Sequence, residues 1–433
     1  MIFSLDVRRA RKGDCLLLHF GSKQEPGLVM IDGGPAQVYA PHLKPRIARI
    51  RKARKLEDGE ALPVDLLMVS HVDDDHIQGI LDLTGEMTEA LGTKPPKLAV
   101  LDFWHNSFDD IIGNSPDELT AAVKEGFGAA ALAGGFDPGA DMDLGDALED
   151  TDAAVDSLKV LASIEQGHRL RGDAEKLGFP LNLEYDGGLV IASPQEHEVA
   201  GGLTLVVAGP MKAELEKLQQ KHDEWLEAQK KKKKPGPAAL AAYVDRSVPN
   251  LSSIVVLARF GGKSILLTGD ARGDKILEGL ELVGLLDDAA PLHVDILKVP
   301  HHGSANNVTT GFFRRVTADH YVFSGDGEHG NPERETIEML LEARPDAPFT
   351  LHFTYPLEEI DAEREIDWKK ERAKEKKRKE EGKTTKPPRG PWSPAKHGLV
   401  ELFDGGALKD NQSFLVAGDG EPHVIDLLDA LGY

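Results

Sequence analysis

Directly behind an apolar run at residues 64–69 the chain reads Ser70-His71-Val72-Asp73-Asp74-Asp75-His76, and this junction constrains the fold more than any other feature. A short apolar run bounded by polar and turn-forming residues is the pattern of a strand buried on both faces. Imidazole and carboxylate are the side chains that borderline and hard divalent ions take as ligands, and four of them fall within six residues. On a loop leaving a buried strand, this spacing can direct His71 and Asp73 to one ion and Asp75 and His76 to another. The competing reading is an acidic, solvated loop that carries two histidines by chance. The position directly after a buried strand favours the metal.

The same pattern recurs along the chain. The run at 264–267 ends in Thr268-Gly269-Asp270, which offers a carboxylate at a sheet edge, able to bridge two cations. The run at 294–299 ends in Pro300-His301-His302-Gly303-Ser304. Adjacent histidines point different ways, so one is expected to be a direct ligand, the other to orient a ligand or contact substrate. A strand at 321–324 delivers a loop that holds His329, and one at 28–31 delivers Asp32-Gly33-Gly34. Further strands are expected at 15–20, 97–103, 203–207 and 254–257, with closing strands at 399–402 and 413–416. Helical spacing is expected at 77–83 and 211–229. Functional groups on loops at the ends of strands are what a rigid sheet scaffold provides.

Composition sets the outer limits. The 433 residues are 40% hydrophobic, enough for a sizeable core, and the formal net charge of −22 repels polyanions on average. Bound cations or a local basic patch can override that average field, so nucleic acid stays open as a substrate. Basic stretches at 8–12 and 44–55 are such patches. The single cysteine, Cys15, excludes an internal disulfide and fits a reducing compartment. The start, MIFSLDVRRARKGD, carries charges where a secretion signal needs an apolar segment, and no apolar run approaches the ~20 residues that span a bilayer. These features predict a cytoplasmic protein with no membrane partner. The lysine run at 230–234 and the charged segment at 361–386 read as peripheral, the latter as an exposed helix or a disordered insertion.

Taken in order, Asp32-Gly-Gly, His71-x-Asp73-x-Asp75-His76, Leu267-Thr-Gly-Asp270 and Pro300-His-His-Gly-Ser304 resemble the motifs of metallo-β-lactamase-fold hydrolases. The wording is similar to the hydrolase domain of ComEC, the DNA-uptake channel protein, and its stand-alone soluble relatives. Lys12-Gly-Asp14, Asn250-Leu-Ser-Ser-Ile254 and His329-Gly-Asn-Pro332 add to that likeness. It implies an α+β fold, an αββα sandwich of two facing mixed β-sheets flanked by helices. Residues 1–350 would form the hydrolase domain, with helical insertions at about 106–190 and 211–248. Residues 351–433 would be an extension holding a charged insert (361–390) and closing strands.

It also implies two divalent ions, zinc or manganese, held by His71, Asp73, Asp75, His76, Asp270 and His301 or His302. Asp75, Asp270 and His329 would act on a phosphodiester, plausibly nucleic acid. His329 would bind a phosphate or protonate a leaving group, or serve only its Gly-rich turn. Asp32 and Asn250 would stand behind the ligands, Asp32 either holding a histidine or stabilising its turn. The chain departs from the broader superfamily twice: Asp73 replaces a histidine, and the isolated histidine before the Gly-Asp strand has no match. His105 and His197 are spare candidates for that place. A binding or regulatory module with a crippled site, or a hydrolase of small esters or phosphoesters, are the rival readings.

Overall fold

Short runs that are apolar at every position cannot bury one face only, so they need cover on both sides, and this requirement sets the layering. The computed structural model describes residues 1–107, 166–216, 252–418 and 420–433. Its first strands are β1 (Ile2–Val7), β2 (Leu16–Gly21), β3 (Pro26–Ile31), β4 (Leu62–Val64), β5 (Leu66–Val69), β6 (Leu98–Val100) and β7 (Phe103–His105). Then follow β8 (Glu196–Val199), β9 (Leu203–Gly209), β10 (Val255–Phe260), β11 (Lys263–Leu267) and β12 (Leu292–Lys298). The last are β13 (Val316–Phe323), β14 (Phe349–Phe353), β15 (Gln412–Val416) and β16 (His423–Asp426).

These make a six-stranded sheet, β16-β1-β2-β3-β5-β7, an eight-stranded sheet, β15-β14-β13-β12-β11-β10-β9-β8, and a small β4-β6 pair. Both large sheets are mixed: β3, β5 and β7 run parallel beside an antiparallel group, and β11 to β15 run parallel beside antiparallel β8 to β11.

Leu5, Leu18, Phe20 and Ile31 of the first sheet share one buried cluster with Leu205, Val256, Ile265 and Leu267 of the second. The opposite faces carry helices. Leu17, Met30 and Val69 pack on Ile77, Ile80 and Leu81 of the helix Asp74–Glu89. Leu266, Leu297 and Tyr321 share a cluster with Ile276 and Leu280 of the helix Gly273–Leu282, and with Ile337 and Leu340 of the helix Arg334–Ala343. Each large aliphatic side chain so buried contributes about 1.5–3 kcal/mol. The carboxyl ends of the parallel strands β3, β5, β11, β12 and β13 lead into Asp32, Ser70-His71, Asp270, Pro300-His301-His302 and Ser324.

Several expectations are corrected. The runs at 64–69 and 97–103 are each split, leaving β4 and β6 in their own small sheet. At the first break Asp65 turns its carboxylate to the Leu28 N–H. Residues 399–402 begin the helix Leu399–Asp404 instead of a strand, because the Asp361 carboxylate accepts from the free N–H groups of Leu399 and Val400. That is a helix start capped by a side chain 38 residues upstream.

The expected domain boundary at 350 falls inside β14, and β14, β15 and β16 belong to the two large sheets. The charged segment is the helix Leu357–Glu380. Its amino-terminal half is anchored by Leu357, Ile360 and a buried Arg364, which donates to the carbonyls of Gly330 and His397. The ring of Trp368 packs against Trp392 and His397. Of the expected insertions, residues 166–177 are helical and place Leu170 and Ala174 in the outer cluster of the first sheet. Residues 108–165 and 217–251, with the lysine run and Asn250, lie outside the described residues. No described helix is long and apolar enough to cross a membrane.

A chain of histidines spans the seam between the sheets: His320 Nδ1 lies 3.0 Å from His352 Nε2, and His352 Nδ1 2.9 Å from His423 Nε2. Burial, then the charges of its two neighbours, holds His352 down at about 3. The ring therefore stays neutral in the fold but gains a proton near pH 6.5 once unfolded. Its folded value lies below its unfolded one, so stability is full above about pH 6.5 and falls as pH drops toward the folded value. Below pH 6.5 this residue should remove up to about 1.4 kcal/mol per pH unit. The melting temperature of His352→Gln should therefore fall less between pH 6.5 and 5 than that of the unchanged protein; an identical slope would contradict the assignment.

Candidate metal centre

The helix Asp74–Glu89 starts where β5 ends, so His71, Asp73, Asp75 and His76 surround one helix N-terminus. Two close approaches fix that helix. A Cβ on Gly79 would lie 1.9 Å from the Gly33 carbonyl oxygen, and one on Gly13 1.8 Å from that of Asp75. No larger residue fits at either place. Gly33 N–H donates to His76 O at 2.7 Å, and Asp14 N–H to Asp75 O at 3.3 Å. The loops that hold Asp32 and Asp14 are thus pinned to the first turn of the helix.

Asp270 lies at the centre, 2% exposed. Its Oδ1 is 3.2 Å from His76 Nε2 and 3.3 Å from His302 Nε2, while its Oδ2 is 3.8 Å from His71 Nε2 and 3.6 Å from His301 Nε2. Asp75 faces the Oδ1 side, with carboxylate oxygens 4.0 Å from His76 Nε2 and 3.9 Å from His302 Nε2. Asp73 lies 3.6 Å from His71 Nε2, and His71 also groups closely with Asp75 and His76. The Nε2 atoms of His71, His76 and His302 and Asp270 Oδ1 are buried without hydrogen-bond partners. Buried polar atoms ordinarily have partners, so four such atoms converging on one space call for an occupant.

The ring nitrogens turned away from this space are backed. His76 Nδ1 meets Asp32 Oδ2 at 2.8 Å, and Asp32 also accepts from the N–H and hydroxyl of Ser70, both at 2.7 Å. His302 Nδ1 meets Ser324 Oγ at 3.0 Å and Asp14 Oδ1 at 3.4 Å. Asp14 is pinned by Ser324 and by the buried Lys298, whose Nζ is 2.6 Å from its Oδ2. Asp14 groups spatially with His76, Asp270 and His302, but it meets both rings from the Nδ1 side. That makes it a support for the histidines, with Lys298 already on its other oxygen.

The charges interlock. Burial would raise the Asp270 carboxyl, but His301, His302 and His76 outweigh it and hold it well below the usual range. Burial would lower His76, but Asp270 and Asp32 raise it well above the usual value. Against burial, Asp270 and Asp14 raise His302 to about 9. Asp75 is held low by His76 against its burial. Asp74, by contrast, faces Gln166, which donates to its carboxylate at 2.9 Å, and burial pushes it up.

The structure therefore brings together His71, Asp73, Asp75, His76, Asp270, His301 and His302, with Asp32 behind them. The sequence leaves open which of the adjacent histidines is the direct ligand and which orients a ligand or contacts substrate; both face Asp270. His301 (φ 48°) and His302 (φ 53°) are consecutive left-handed residues, and their ring planes stand 90° apart, each toward a different oxygen. Such backbone costs about 1–3 kcal/mol per residue and persists where the surroundings enforce it. His329 is exposed, beside Glu328, which pairs with Arg11 and Lys12. His197 bonds Tyr185 and His105 stacks on Phe103, each in its own packing. Lys298 and Ser324 are the members that sequence reasoning missed, and Asp14 entered only through the Lys12-Gly-Asp14 likeness, with no role given to it.

No family model matches the chain. Microtubule-associated protein 1A of Homo sapiens is 43% identical over 56 residues, and Microtubule-associated protein futsch of Drosophila melanogaster 44% identical over 55. These matches take in 13% of this chain and span only 2% and 1% of the lengths of those proteins. Among solved structures, a Parabacteroides distasonis protein named provisionally as a metal-dependent hydrolase aligns over 80% of this chain and 97% of its own. The identity is 9% and the TM-score 0.30. Likeness at these levels establishes neither family nor activity, so the chemistry rests on the site itself.

Removing Lys298 would leave the buried Asp14 carboxylate with only Ser324 and His302 facing it, at a cost of up to about 3–5 kcal/mol. We expect Lys298→Met and Asp14→Asn each to lower stability in urea melts of the metal-free protein, and the double variant to lose at least about 1 kcal/mol less than their sum. Strict additivity would show that the pair is not coupled.

Proposed function

We propose that this chain is a metal-dependent hydrolase of the metallo-β-lactamase fold, in the soluble ComEC-like subgroup, with two divalent ions serving hydrolysis of a phosphodiester. The observation that carries the reading is the Asp270 carboxylate, with each oxygen facing its own set of ligands. Charge supports two ions over one. Asp14, Asp32, Asp73, Asp75 and Asp270 against Lys298 leave four negative charges in one mostly buried space, which two divalent cations balance. The layering of helices outside two facing sheets supports the fold assignment.

Asp75, His76, His302 and Asp270 would hold one ion, and His71 and Asp73 would hold another against the second oxygen of Asp270. Mixed nitrogen and oxygen donors suit zinc or manganese. Bound there, such ions lower the pKa of water and offset charge building on a phosphoryl oxygen. Asp75, the partly exposed member of its group, would orient the attacking water and accept its hydrogen bond. His329, on the neighbouring exposed loop, would bind a phosphate or protonate the leaving oxygen. Arg11 and Lys12, paired with Glu328 beside it, supply positive charge for an anionic substrate despite the acidic whole, so nucleic acid is the substrate class we favour. The buried single thiol Cys15 supports a cytoplasmic location. A crippled binding module is disfavoured, because it would have no use for four converging unpartnered donor atoms.

Two measurements test this reading. In a screen of DNA, RNA and model phosphodiesters with manganese or zinc, Asp270→Asn should stay folded and lose at least about a hundredfold in rate. Asp74→Asn, from the same acidic loop but turned to Gln166, should change activity little. Equal losses would show that the ligand positions are misassigned. Metal binding must also displace the proton that His302 carries up to about pH 9. Affinity should therefore climb with pH between 6 and 9, and calorimetry at pH 7 in buffers of different ionisation heat should register proton release. Heats independent of buffer would contradict the assignment.

A further inference from the structure

The two sides of Asp270 are not built alike. On the Oδ1 side the donor atoms are separated by 3.2, 3.3, 3.9 and 4.0 Å. A tetrahedral ion with bonds of about 2.0–2.2 Å needs ligand atoms roughly 3.3–3.6 Å apart, so small shifts complete this seat. Its two imidazoles are buried and held from behind, His76 by Asp32 and His302 by Asp14 and Ser324. Ligands oriented in this way do not have to be ordered when the ion arrives.

On the Oδ2 side the separations are 3.6, 3.8 and 3.6 Å, and the side chains of Asp73 and His301 are each 28% exposed. Two imidazoles face it: His71, buried and met at Nδ1 by Ser70 Oγ at 3.1 Å, and the more exposed His301, whose left-handed backbone swings its ring away from that of His302.

We infer that the centre has two seats of unequal strength: an inner, preorganised one served by His302 and an outer, exchangeable one served by His301. His301 thus takes the part that an isolated histidine would otherwise fill. The inner ion remains bound through purification, and occupancy of the outer seat follows the free divalent-ion concentration. This inference rests on the proposed dinuclear reading and adds to it the order of loading and the ligand of the second ion.

The test is a Mn²⁺ titration of the metal-free full-length protein, with free Mn²⁺ read from its electron paramagnetic resonance signal and thermal melts run alongside. The unchanged protein should show two classes of site at least about tenfold apart in Kd. His301→Asn, a residue that tolerates left-handed backbone, should keep the tight class within about threefold and weaken the other at least about tenfold. His302→Asn should weaken the tight class at least about tenfold. If His301→Asn melts early, His301→Gly, which takes this backbone freely, is read in its place. Two equal classes, an unchanged weak class in His301→Asn, or loss of the tight class in both variants would overturn the inference. A protein that binds no Mn²⁺ at all would overturn the dinuclear reading itself, whereas a misassigned His301 leaves two-ion binding intact.

Discussion

A carboxylate taken out of water must be matched by positive charge, and four imidazoles face Asp270. His76 and His302 address one oxygen, His71 and His301 the other. Without an ion the balance requires protons on some of these rings, which is why His76 and His302 rise while Asp270 falls. The arrangement that stabilises protons on these rings would, under the proposed reading, stabilise cations in their place. Proton and metal compete for the same nitrogen atoms, and the competition couples metal affinity to pH.

The fold can supply this arrangement because two mixed sheets meet face to face with their parallel strands ending near one another. β3, β5, β11, β12 and β13 each release one or two polar residues on leaving the core. Because the strands are packed on both faces, those exit points hold still. The left-handed backbone at His301 and His302 is the local cost of turning two neighbouring rings to opposite sides of one carboxylate. The Asp14–Lys298 pair carries the support one layer deeper, so the inner seat rests on buried groups from β12 and the loop between β1 and β2.

Much of this was legible in the sequence, for physical reasons that differ by residue. His71, Asp73, Asp75 and His76 stood out because their chemistry is local: four donors within six residues after a strand need no knowledge of distant contacts. Asp270 and the His301-His302 pair were legible by position at the ends of apolar runs. The partnership of Asp14 with Lys298 was not, since it joins residues 284 apart and shows only as one lysine at the end of β12. The helix at Leu399–Asp404 was misread as a strand for a similar reason, because its cap is Asp361. The reach of both adjacent histidines depends on a left-handed pair, and histidine only weakly announces that conformation.

The central claim is that one carboxylate is shared by two ions, and anomalous X-ray scattering from manganese-loaded crystals addresses it directly. The account predicts two anomalous peaks per chain, about 3.5–4 Å apart, with one oxygen of Asp270 directed at each. A single peak, or peaks that leave either oxygen of Asp270 unengaged, would contradict it.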